Sequence, residues 1–157
     1  MGRMYAVTFE NVAVTAAQDF FEISPADDKP VLIHALYLSQ SSDVGDAAEE
    51  LLRVTIKRGH TTSGSGGSSF TPLPLTSSAG VAAGAAAEIN NTTIASAGTA
   101  VALHAEAFNI RAGMMYIPTP EARPGASQAN TTIVVRLEAA PADSLSMSGT
   151  LIFEELG

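Results

Sequence analysis

The strongest constraint on this chain is a two-residue rhythm. Apolar and polar side chains alternate over at least six separate segments, and no ten-residue window carries a 3.6-residue apolar period with helix caps. In residues 4–14, Tyr5, Val7 and Phe9 oppose Thr8 and Glu10; in 17–23, Gln18, Phe20 and Glu22 oppose Asp19, Phe21 and Ile23. Leu52, Val54 and Ile56 then oppose Arg53, Thr55 and Lys57, Val101 and Leu103 oppose His104 and Glu106, and Ile133, Val135 and Leu137 oppose Arg136 and Glu138. Met147, Leu151 and Phe153 share one side of the last such segment. Successive side chains of a strand point to opposite faces, so each segment reads as a strand with one dry and one wet side. Residues 31–39, VLIHALYLS, are apolar on both faces apart from His34 and read as a central strand covered on both sides. Eight or nine strands without a long helix predict an all-β chain: one domain over residues 1–157, a two-sheet β-sandwich of jelly-roll-like topology.

The rhythm stops at Arg58-Gly59. From His60 to Ser69 the chain is almost entirely Gly, Ser and Thr, too poor in apolar surface to offset the entropy of ordering its backbone. Phe70-Thr71-Pro72-Leu73-Pro74-Leu75 then reads as an apolar segment held extended by its prolines. This predicts a long loop over residues 59–80, mobile at its centre and shaped as an arm that orders against a neighbour. Pro118-Thr119-Pro120-Glu121-Ala122-Arg123-Pro124-Gly125 reads as a second, rigid exposed loop.

A formal charge of −8 argues against gripping nucleic-acid phosphates. With no Cys, disulfides and thiolate ligands are absent, and the chain needs no oxidising compartment. The start, Met1-Gly2-Arg3-Met4-Tyr5, leads into strand alternation instead of an apolar run, so no signal peptide and no membrane span are expected. The Asn-x-Thr sequons at Asn90, Asn91 and Asn130 read as chance matches.

Candidate chemistry is sparse. A metal site on His34, His60 and His104 would need all three to converge, and packed sheet histidines are the simpler reading, with His60 solvated or at a contact. Asp43, Asp46, Glu49 and Glu50 could offer oxygens to Ca²⁺ but lack the spacing of a calcium loop; residues 46–52 could instead add a helical turn. Gly64-Ser65-Gly66-Gly67 resembles a phosphate cradle without its Lys or its following helix. No nucleophile sits at acid–base spacing, so no enzyme activity and no cofactor are expected. Arg53, Lys57, Arg58, Arg111, Arg123 and Arg136 carry most of the positive charge, either as a docking surface for an acidic partner or as solvated strand faces.

The phrases SDVGDAAEE at 42–50, RGHTTSGSGGS at 58–68, FTPLPL at 70–75, FNIRAG at 108–113 and SGTL at 148–151 together resemble small virion proteins encoded by tailed bacteriophages and prophages. The resemblance implies a capsid decoration or cement protein, made in the bacterial host cytoplasm and placed on the virion surface. Its partners would be the major capsid protein and further copies of itself, expected as a trimer. The expected interface is Arg58, Gly59, His60, Phe70, Pro72, Leu73, Pro74 and Leu75, with Pro118, Pro120 and Arg123 as a second contact. An alternative reading is a receptor- or glycan-binding module of a phage tail or head fibre.

Overall fold

The computed structural model describes residues 2–42, 49–77, 81–127 and 131–157. Twelve strands run through them: β1 Arg3–Val14, β2 Gln18–Ser24, β3 Val31–Gln40, β4 Leu51–His60, β5 Ser68–Phe70, β6 Leu73–Pro74, β7 Ala86–Asn91, β8 Val101–Asn109, β9 Met114–Tyr116, β10 Gly125–Ala126, β11 Thr132–Leu137 and β12 Leu145–Glu155. A single 3-10 turn stands at Pro120–Ala122, inside the expected rigid loop.

The strands form two antiparallel sheets. One holds β10-β3-β12-β1-β6, with β9 beside β10 on the same edge of β3; the other runs β5-β7-β2-β11-β4-β8. The path is that of one long antiparallel ribbon, its rungs β1·β12, β2·β11, β3·β9 and β4·β8 falling alternately in the two sheets. Wrapping that ribbon adds the contacts β12·β3 and β11·β4 and yields a two-sheet sandwich in jelly-roll order.

The inward rows read from the sequence meet between the sheets. Tyr5, Val7 and Phe9 of β1, Met147, Leu151 and Phe153 of β12, and Val54, Ile56, Ile133, Val135 and Leu137 opposite are all buried. Phe9 ties the layers together, its ring centroid 5.7 Å from that of Phe20 and 5.2 Å from that of Phe21. Each such side chain, fully buried, contributes about 1.5–3 kcal/mol.

Two expectations about strand surroundings are corrected. β3 is not covered on both sides: Tyr37 and Ser39 are exposed, and only the short β9 and β10 lie beyond it. The doubly covered strands are β2 and β11, where every residue but Ser24 is buried. The cover comes from the segment joining β4 to β8, through parts of its described residues 61–77 and 81–100.

The long loop expected over 59–80 is therefore neither free nor all loop. β4 continues to His60, Thr62 bridges to Ser96, Ser65 to Thr93, β5 pairs with β7, and β6 crosses to pair with β1. Its glycines serve close approach. A Cβ on Gly64 would lie 2.6 Å from the Thr93 carbonyl oxygen, and one on Gly67 would lie 2.1 Å from that of Ile89.

Candidate interaction surface

Three buried carboxylates on the core strands hold the 61–100 segment in place. Asp19 Oδ2 accepts the Ala95 N–H at 2.7 Å, Glu22 Oε2 accepts the Gly64 N–H at 2.9 Å, and Glu155 accepts those of Gly84 and Ala85 at 3.1 and 2.7 Å. Charge-assisted bonds of this kind are about twice as strong as neutral ones. The glycine-rich turn that resembled a phosphate cradle thus takes an anion from its own chain. Arg136 is not on a wet face: its Nε and Nη2 bind Asp19 at 2.6 and 3.0 Å, and Nη2 reaches the Ala95 carbonyl at 2.8 Å, all beneath the cover.

His60 is also buried, not solvated, at the point where β4 passes into the cover. Neither ring nitrogen has a hydrogen-bond partner. Burial first, then the positive charge of Arg136 and more weakly Lys57, hold its pKa below the ordinary value, against the Ala97 backbone and Asp19. The unfolded chain therefore takes up a proton near pH 6.5 that the folded chain refuses. Stability from this group is complete above that pH and is lost as pH falls through it. We expect His60→Leu to flatten the fall in unfolding free energy between pH 7 and about pH 5, read from urea melts of both proteins. An unchanged slope would remove His60 from the account.

The other basic residues are mostly engaged. Arg58 Nη1 donates to the Gly125 carbonyl at 2.8 Å, and Lys57 lies 2.6 Å from Glu138. Burial raises the pKa of Glu138, but hydrogen bonds from Lys57 and Thr55, with the charges of Lys57 and Arg136, outweigh it and hold the carboxyl below its usual range. The histidines do not converge. His34 pairs with Glu154 at 2.8 Å in one sheet; His104 pairs with Glu106 at 3.0 Å and packs on the Tyr116 ring. Among the described residues no three or more His, Cys, Asp or Glu gather to hold a metal. Asp43 and Asp46 lie outside the described residues, as does the start of the proposed helical turn. Glu49 bonds Asn109, and Glu50 accepts the Ala142 N–H at 2.9 Å. Of the sequon asparagines Asn90 and Asn91 are buried, and Asn130 lies outside the described residues.

The expected interface residues divide. Gly59 is spent on a left-handed bend with φ 105°, Pro72 is buried, and Phe70 packs half-buried against the core. Pro74 and Pro118 are half-buried, Pro120 is exposed, and half-buried Arg123 has its Nε buried without a partner. Leu73 and Leu75 are the ones set free, at 54% and 52% exposure. Pro72 and Pro74 alternate with them in an edge strand, where a missing N–H is tolerated, so the leucines turn outward.

Their side of the sheet continues across the molecule. Leu73 pairs with Ala6, Ala6 with Ile152, and one row further Thr8, Thr150, Tyr37 and Met115 succeed each other from strand to strand. Met115 and Ile117 at the far edge are 68% and 59% exposed. The β10/β9-to-β6 sheet therefore shows solvent an outer face with Leu73 and Leu75 at one margin and Met115 at the other. In the sequence Met114–Ile117 is short and apolar, with no alternation to mark an outward side. An apolar run lying on an edge strand cannot bury both of its sides, and that was the available signal.

No helix among the described residues is long and apolar enough to cross a membrane. No protein-family model matches the chain, and no curated protein matches it. Solved structures with a weak likeness include the T13 particle of infectious bursal disease virus, at 12% identity and a TM-score of 0.16 over 98% of this chain and 39% of that one. The VP2 subviral particle of the same virus is similar at 13% identity and 0.14, over 99% and 40%. The chain spans about two fifths of those proteins, and scores this low carry no argument about fold or function.

Proposed function

We propose that the protein is a structural component of a virion, decorating and stabilising a tailed-phage capsid by bridging neighbouring subunits of the major capsid protein. The observation that carries this reading is one margin of the outer face just described: Leu73 and Leu75 stand more than half exposed, two positions apart, on backbone paired to β1. The resemblance of residues 42–50, 58–68 and 70–75 to phage virion proteins supports this class of partner. Docking would begin at the β6 margin, where Leu73 and Leu75 project from backbone already fixed by pairing to β1, so little ordering entropy opposes binding.

The test is co-sedimentation with capsids lacking the protein. Leu73→Asp combined with Leu75→Asp should weaken capsid binding by about 2–4 kcal/mol, while unfolding free energy stays within about 0.5 kcal/mol because both positions are exposed. Wild-type binding by this variant would overturn the placement. Recovery of the protein in few copies with tails, instead of many copies with heads, would favour the receptor- or glycan-binding module.

A further inference from the structure

One long edge of the sandwich is bare. β8 is the last strand of its sheet, and no strand among the described residues pairs with its far side. In an antiparallel ladder alternate residues of an edge strand turn their N–H and C=O groups away from their neighbour, so β8 presents a row of unused backbone groups. Edges are usually blunted by Lys, Pro or short length. The sequence VALHAEAFN has neither residue and runs for nine positions. Its protective features are the charge of Glu106, in the row opposite buried Val54, and a bulge: Ile56 pairs with His104 and Lys57 with Ala102, leaving Leu103 extra. From Val101 to Ala107 every side chain is exposed except half-buried His104.

We infer that β8 pairs antiparallel with β8 of a second copy of this chain, about a two-fold axis at Ala105. The partner is identified by self-complementarity. About that axis His104 faces Glu106 of the second copy and Glu106 faces its His104, Leu103 faces Ala107, and Ala105 faces itself. Moving the axis to Glu106 sets two carboxylates face to face, and moving it to His104 sets two imidazoles so; only the Ala105 register sets each imidazole against a carboxylate. The small alanine at the axis leaves room for the strands to close. His104 and Glu106, already 3.0 Å apart in one chain, would join with their counterparts in a ring of alternating imidazole and carboxylate groups. Pairing joins the two β5-to-β8 sheets into one continuous sheet and removes both bare edges. The contact is isologous and closes at two, so the trimer expected from the sequence would need another surface. It is also independent of any capsid.

Sedimentation equilibrium of the whole chain should show a monomer–dimer equilibrium. Two variants read the register: Leu103→Lys with Ala107→Lys, and Leu103→Glu with Ala107→Glu. Each alone sets like charges opposite one another and should weaken self-association roughly 100-fold. Mixed in equal amounts, they should form a heterodimer. In the wild type, β8 amides should gain protection from hydrogen exchange as concentration rises, a readout that needs no variant. A wild type that stays monomeric, a trimer, variants that self-associate as well as wild type, a mixture that does not associate, or β8 exchange independent of concentration would each overturn the inference.

Discussion

Replacing Arg136 with Met should lower the unfolding free energy by about 3–5 kcal/mol, because the Asp19 carboxylate is then left buried without its cation. In a chain of this size that loss is about 2–4 °C in Tm for each kcal/mol. The cost reflects position. A surface ion pair is worth about 0–1 kcal/mol, whereas this one lies beneath the 61–100 cover, with Asp19 fully buried. Adding Asp19→Leu should restore part of the loss, since no lone charge remains. It should not restore all of it: the Ala95 N–H and C=O, which Asp19 and Arg136 satisfy, lose their partners together. Urea melts at pH 7 measure all three. A single-variant loss under about 1 kcal/mol would mean that water reaches the pair.

The glycines of the cover carry the second large effect. Gly98→Ala should cost about 2–4 kcal/mol, combining a left-handed backbone at φ 69° with a Cβ only 2.3 Å from the Gly59 carbonyl oxygen. Gly67→Ala should cost a similar amount for the approach to Ile89 alone. Ser69→Ala, at an exposed position in the same segment, should change stability by less than about 0.5 kcal/mol. Thermal melts separate the two explanations of this composition. If the glycines only loosened the chain, alanine there would be neutral or stabilising.

The strands were legible because their cause is local. Tyr5, Val7 and Phe9, or Met147, Leu151 and Phe153, alternate with the period of the pleat, and the core face follows from that period alone. What covers the other face is not local. Arg136 and Glu22 occupy the wet positions of their strands, and only the return of a distant segment places Gly64 and Ala95 over them. The same gap explains the mobile arm that was expected: Gly and Ser raise chain entropy in isolation, yet also let two backbones touch, and composition does not distinguish the uses. Of the surface, Leu73 and Leu75 could be read because prolines alternate with them. Tyr37 could not, since an outward apolar residue in an apolar strand looks like core until its neighbours are known.

The ribbon path also fixes the order in which the molecule can come into being. β12 is the middle strand between β1 and β3, and its rung joins Arg3 to Glu155. Until it is in place, β1 has only the two-residue β6 beside it and β3 only the short β9 and β10, so the rows of Tyr5, Val7 and Leu36 are not joined into one sheet. Closure over such separations is slow, in the millisecond-to-second range typical of β-sandwiches. The cover waits on the same event at one of its anchors, because Glu155, which holds Gly84 and Ala85, belongs to that last strand. A chain in which β12 has not yet formed therefore lacks the finished sheet face from which Leu73 and Leu75 project, and the association proposed for that face would wait on β12.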